Sequence, residues 1–116
     1  MLSKKQRIPK AIARDVFARA NHLSSPHFLL KVALSSDASL GTRFAVSVSK
    51  KVANTAVLRN RTRRRVYSSI RKLIPDVVAG YLVAITVKKG GEKLEFADIE
   101  KEITQNLIRA GVLKKK

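Results

Sequence analysis

The sequence predicts an α+β protein, a two-layer sandwich with helices packed on one sheet. Three observations predict it. Residues 43–49, RFAVSVS, alternate apolar and polar side chains with the period of two that a half-buried strand requires. Val66, Ile70, Leu73 and Ile74 recur at helical spacing inside a stretch running from about Ala56 to Ile74. Helical and strand-like stretches are interleaved in the order α-β-β-α-β-α, which fits helices covering one face of a sheet.

Taken in chain order, residues 8–20, IPKAIARDVFARA, read as a first helix with Ile8, Ile12 and Val16 as its apolar stripe and Phe17 beside it. NHLSSP breaks that helix. His27–Leu34 reads as a strand with Phe28, Leu30, Val32 and Leu34 on one face. The turn-rich SSDASLGT leads into the strand Arg43–Ser49, where Phe44, Val46 and Val48 point to the core. Its other face, Arg43, Ala45, Ser47 and Ser49, is small and hydroxylated and runs on into Lys50 and Lys51. A neighbouring strand is expected to add His27, Leu29, Lys31 and Ala33 to that face. This fits the solvent side of an antiparallel sheet, and equally a surface against which an extended RNA strand lies. Pro75 stops the helix, Tyr81–Val87 is a strand apolar enough to be central, KKGGEK is a turn, and Phe96–Leu113 closes the chain as a helix with Ile99, Ile103, Leu107 and Ile108 inward.

With 116 residues the chain is expected to form one domain over residues 1–116, with short basic tails at both ends. A hydrophobic fraction of 45% supports a folded core. There is no cysteine, so disulfides and thiolate metal sites are excluded. The basic start runs into no apolar segment of signal-peptide type, and no run approaches the roughly 20 apolar residues of a membrane span, so a cytoplasmic protein is expected.

Twenty-five basic residues against eight acidic ones give a net charge of +17. So large an excess is costly in a folded chain unless a polyanion meets it. Between Asp37 and Asp76 there is no acid but ten Lys or Arg, while Glu92, Glu95, Asp98, Glu100 and Glu102 sit together near the C-terminus. One pole is therefore cationic, and nucleic acid is the leading partner, with anionic membrane as its rival. The narrow apolar stripe of the basic helix, needed for the core, argues against the membrane. Within that helix Arg61, Arg64, Arg71 and Lys72 face away from the stripe; Arg59 and Arg63 lie on or near it, one to two turns before its apolar part, where they would line a groove beside the sheet. The helix N-terminus adds its own positive potential there. His22 and His27 have no partner at catalytic spacing, and Asp98, Glu100 and Glu102 fit a helix N-terminus better than a metal cluster. No nucleophile–base pair, Gly-rich phosphate loop or metal-ligand spacing is present.

RFAVSVSKK, a short link, and then AVLRNRTRRRV resemble the protein subunit of bacterial ribonuclease P, in which a strand ending S-V-S-K-K precedes a helix opening A-V-x-R-N-R. The resemblance extends over nearly the whole chain. It implies a four-stranded sheet in the order α-β-β-β-α-β-α with a left-handed β-α-β crossover around the RNR helix, an arrangement shared with a domain of a small-subunit ribosomal protein. The general rule favours the opposite hand. The strand that periodicity does not reveal is then expected within residues 24–42.

The resemblance also implies two surfaces. Arg59, Asn60, Arg61, Arg63 and Arg64 match the motif that faces the catalytic RNA, with Arg65, Arg71 and Lys72 as a further basic face. Phe17, Lys31, Ser47, Ser49 and Lys51, with Lys50 beside them, match the cleft for the single-stranded 5′ leader of precursor tRNA. It implies an RNA-binding subunit, monomeric in a 1:1 ribonucleoprotein, that assists an endonucleolytic hydrolase. Chemistry and Mg²⁺ belong to the RNA, the protein holds no cofactor and no catalytic residue, and contact with a Mg²⁺-bound water is expected only at Asn60. A ribosomal or other structural RNA-binding protein is the alternative. Four departures from the family pattern stand out: a link one residue longer, Ala53 in place of a glycine, Tyr67 where a further arginine is common, and Ala13 and Lys31 in place of cleft aromatics. Stacking on aromatics contributes roughly 1–3 kcal/mol per base, so leader binding here is expected to lean on charge.

Overall fold

The computed structural model describes residues 21–34 and 41–114. The expected first helix, with Phe17 and Ala13, lies outside the described residues. Within them the chain forms β1 (Asn21–Ser24), β2 (Phe28–Leu34), β3 (Arg43–Ser47), α1 (Ala56–Leu73), β4 (Tyr81–Val87) and α2 (Phe96–Arg109). The four strands make one sheet in the order β1-β2-β4-β3. β1 and β2 pair antiparallel, as do β2 and β4, whereas β3 and β4 are parallel. Parallel neighbours cannot be joined by a tight turn, so the chain crosses from β3 to β4 through α1.

The inward residues of three strands meet both helices in one core. Phe28 and Leu30 of β2, Phe44 of β3 and Val83 and Ile85 of β4 are fully buried, as are Val66 and Ile70 of α1 and Ile103 and Leu107 of α2. Each such side chain contributes about 1.5–3 kcal/mol relative to exposure, so the sheet and helix stripes read from the sequence suffice to fix the layers.

Several boundaries differ from the expectations, each for a local reason. The additional strand is β1, Asn21–Ser24, where NHLSSP reads as a break and ahead of most of the 24–42 window. It is an edge strand, and of its two residues on the inward side only Leu23 is apolar and packs on the core, Asn21 being exposed, so it has no legible alternation. β3 ends at Ser47 rather than Ser49, because the Ser49 carbonyl accepts from the amides of Val52 (3.1 Å) and Ala53 (3.0 Å) and turns the chain. Leu34 has the register of an inward residue but is 75% exposed, at an end of β2 that overhangs the core. His27 is a bend residue preceding β2, not a member of the sheet face.

α2 stops at Arg109 instead of Leu113. Gly111 adopts φ +79°, which only glycine takes readily, and this reverses the chain so that Val112 and Leu113 fold inward. Leu113 then bridges to Val77 after the 3₁₀ turn Ile74–Asp76 that Pro75 places at the end of α1. Of the expected α2 stripe Ile99, Ile103 and Leu107 are buried and Ile108 is half-buried.

Candidate nucleic-acid interface

The registers define the outer face of the sheet row by row. Ser24 of β1 stands opposite Leu29 of β2, Leu29 opposite Thr86 of β4, and Thr86 opposite Ser47 of β3. The adjacent row runs His22, Lys31, Ala84, Ala45, and the next joins Ala33, Leu82 and Arg43. The hydroxylated face expected from β3 therefore extends across the sheet, but its neighbour is β4: the strand carrying Leu29, Lys31 and Ala33 lies one position further on. Ser47 Oγ and Thr86 Oγ1 are 3.3 Å apart. No carboxylate stands at any of these outward positions among the described residues.

Two residues of this surface escape a reading of the sequence. Thr86 and Lys88 follow Leu82 and Ala84 on the outward positions of β4 and its continuation. The Lys88 ammonium reaches across the sheet end to donate to Ser24 Oγ (2.8 Å) and to the Ser25 carbonyl (2.9 Å). The alternation is present in YLVAITVKK, but the apolar residues of both faces mask it, and only the strand order puts β4 between β2 and β3. Ser47, Ser49, Lys50 and Lys51 are exposed, Lys31 is half-buried, and Phe17 lies outside the described residues.

From this face the chain passes directly into α1. Thr55 is the N-cap, its hydroxyl accepting from the Leu58 amide at 3.1 Å, and no acid stands in the first turn to offset the positive helix end. Arg59 is half-buried, and its Nη1 donates to the Ala53 carbonyl at 2.9 Å. It thereby holds the longer link against the helix, while Ala53 itself is buried beneath. Arg63 Nη2 donates to Asn60 Oδ1. Asn60, Arg63, Arg64 and Tyr67 line a groove of about 340 Å³. Arg61, Arg64 and Arg71 are exposed and, among the described residues, have no side-chain partner.

Arg65 and Lys72 also have partners within the protein. Arg65 Nη1 donates to the Leu94 carbonyl at 3.3 Å, and Lys72 Nζ lies 3.6 Å from Glu100 and 5.0 Å from the Phe96 ring. Lys72 thus contacts α2 while its side chain stays exposed beside Arg61, Arg64 and Arg71, and the half-buried Arg65 fastens α1 to Leu94, just ahead of α2. Tyr67 is buried, and its hydroxyl accepts from the Val46 amide at 3.2 Å.

On the opposite layer a polar cluster ties α2 to the turn between β1 and β2. Glu102 accepts from Ser25 Oγ (2.6 Å) and the His27 amide (2.8 Å) and pairs with His27 Nδ1 (2.8 Å), while Asn106 Nδ2 donates to Ser25 Oγ (2.9 Å). Burial pushes the Glu102 carboxyl up, but the hydrogen bonds from Ser25 and His27 and the His27 charge outweigh it, and the carboxyl is held below its ordinary value. Sequence spacing shows no partner for His27; the fold supplies one 75 residues away. In this arrangement the Ser hydroxyl meets the carboxylate rather than the imidazole, so the imidazole is not placed to take its proton.

Mg²⁺ does not fit as a protein-held ion at Asn60. The neighbouring side chains are cationic, no carboxylate among the described residues lines the groove, and the Asn60 carbonyl is engaged by Arg63. No described helix is long and apolar enough to cross a membrane.

The ribonuclease P family profile matches residues 2–111. The chain belongs to the ribonuclease P protein family. Family members carry the name ribonuclease P protein component, the protein part of a tRNA-processing ribonuclease. The component from Microcystis aeruginosa is 35% identical over 77 residues, covering 66% of this chain and 64% of that protein. The one from Rippkaea orientalis is 28% identical over 101 residues, covering 84% and 80%. Among solved structures, a Staphylococcus aureus RNase P protein mutant with defective mRNA degradation activity superposes with a TM-score of 0.85, at 20% identity, over 95% of this chain and 92% of its own. The Thermotoga maritima RNase P protein gives 0.79 at 17% identity, over 89% and 96%. These structures share the α+β fold with its four-stranded mixed sheet.

Proposed function

We propose that this ribonuclease P protein binds the catalytic RNA through the N-terminal end of α1 and the 5′ leader of precursor tRNA on the outer face of the sheet. The observation that carries the reading is the continuity of the two surfaces. A sheet face without acids among the described residues, its Ser24–Leu29–Thr86–Ser47 row carrying three hydroxyls, leads through Lys50 and Lys51 into a helix whose first turns are cationic. Hydroxyls and small side chains let an extended backbone approach closely, and the surrounding lysines neutralise its phosphates.

Arg59, Asn60, Arg61, Arg63 and Arg64 face the RNA subunit in this reading, and Lys31, Ser47, Ser49, Lys50 and Lys51 hold the leader. The hydrolysis and the Mg²⁺ ions it requires are the RNA's. The protein screens repulsion between two RNAs and holds the leader extended, which raises affinity for precursor tRNA and for Mg²⁺. It acts as one copy per RNA, in the cytoplasm.

The test is reconstitution with a bacterial ribonuclease P RNA. Cleavage of precursor tRNA at low Mg²⁺ is expected to rise when the protein is added and to fall back with Arg61→Ala. Absence of stimulation by the wild-type chain refutes the reading.

A further inference from the structure

We propose that Tyr67 is a positioning residue that holds the RNR helix and the leader face in one fixed geometry. The inference rests on the two-surface reading above and adds to it the element that couples the surfaces.

β3 is an edge strand, hydrogen-bonded to β4 on one side only. Amides on its open side need partners from elsewhere. The Val46 amide finds one in the Tyr67 hydroxyl, at 3.2 Å in a buried setting. Among the described residues this is the only side-chain hydrogen bond joining α1 to β3. Its two ends are informative. Val46 lies between Ala45 and Ser47, which point to the outer face, while Tyr67 closes the groove lined by Asn60, Arg63 and Arg64. A rotation or slide of α1 that moved its cationic end relative to the Ser47 row would have to break this bond.

The chemistry of the side chain sharpens the point. A guanidinium has five donors and no acceptor, so an arginine at this position would add charge but could not receive the Val46 N–H. A phenol reverses the balance. As a residue only 9% exposed, Tyr67 offers little surface to RNA and a well-directed acceptor to the strand. This chain therefore uses the position for geometry where an arginine would use it for charge.

The experiment compares wild type and Tyr67→Phe in the reconstituted holoenzyme, measuring Kd for precursor tRNA and for mature tRNA at a temperature where circular dichroism shows both proteins folded. Tyr67→Phe is expected to bind the RNA subunit and mature tRNA as wild type does, while the preference for precursor over mature tRNA falls roughly 2- to 30-fold, as for residues coupling two sites. A lowered Tm with the preference intact means that the bond is structural only, and overturns the proposal. If Tyr67→Phe does not fold, wild-type amide exchange decides: by reciprocity, precursor tRNA should slow exchange at Val46 relative to Ile103 more than mature tRNA does. Equal slowing at both amides overturns it. A wild-type holoenzyme with no preference for precursor tRNA refutes instead the two-surface reading on which the proposal stands.

Discussion

Arg59 Nη1 donates to the Ala53 carbonyl at 2.9 Å, so the first arginine of the RNR motif also fastens the link that leads into its own helix. Two neighbouring arginines of one motif therefore carry different loads, and substitution separates them. Arg59→Ala is expected to lower stability by about 1 kcal/mol, the net value of one hydrogen bond, as well as weakening RNA binding. Arg61→Ala, at an exposed position, should leave Tm unchanged and weaken RNA binding alone. Thermal melts of both variants beside binding isotherms check this; equal Tm losses would show that the Ala53 contact does not matter.

Salt dependence distinguishes the two surfaces. If Arg61 neutralises one phosphate of folded RNA, Arg61→Ala should make the log–log salt slope shallower by about 0.9, while Lys31→Ala, facing a single strand, should change it by about 0.7. The Lys31 effect should appear with precursor tRNA and vanish with mature tRNA. Titrations across a range of KCl concentrations measure both slopes.

Glu102 gives the fold an acid-sensitive clamp. Its folded carboxyl is held below the ordinary value of 4.5, so it contributes stability that is fully present above that value and lost as pH falls through the folded one. Glu102→Gln should cost about 1.5–3 kcal/mol near neutrality, the range for hydrogen bonds to a charged group, and flatten the loss of stability below pH 4.5. Urea melts between pH 3 and 7 would show the two curves converging toward acid; parallel curves would contradict the assigned ionisation.

Gly91 is closed to any side chain. A Cβ there would lie 2.6 Å from Val87 Cγ1 and 3.1 Å from the His27 carbonyl. Gly91→Ala is expected to destabilise by about 1–3 kcal/mol, as overpacking at a buried position does, because Val87 is itself enclosed. RNA affinity measured well below Tm should be unaltered, since the contact lies away from the outer face; a selective loss of RNA binding would contradict that placement.

Much of the architecture is legible in local pattern. RFAVSVS alternates because β3 has one wet face and one dry face, and Val66 and Ile70 recur at helical spacing because α1 has one dry side. The absence of acid between Asp37 and Asp76 is legible without any geometry, and the expectation of a polyanion partner rests on it. β1 is illegible for the converse reason: an edge strand with one apolar inward residue, Leu23, leaves too little apolar repetition to read. His27 and Glu102 are illegible because residues far apart in the chain meet only when α2 packs beneath the turn.

The sequence by itself determined the layers, the cationic pole and, through SVSKK and RNR, the family. Periodicity and charge are properties of neighbouring residues, and burial and repulsion act on them wherever the chain goes. Only the tertiary structure decided which strand stands between β2 and β3, that Thr86 and Lys88 belong to the hydroxylated face, that Arg65 meets Leu94 and Lys72 meets Glu100, and that Tyr67 closes the edge of β3. These depend on strand order and on hydrogen bonds between distant residues, which no local periodicity encodes.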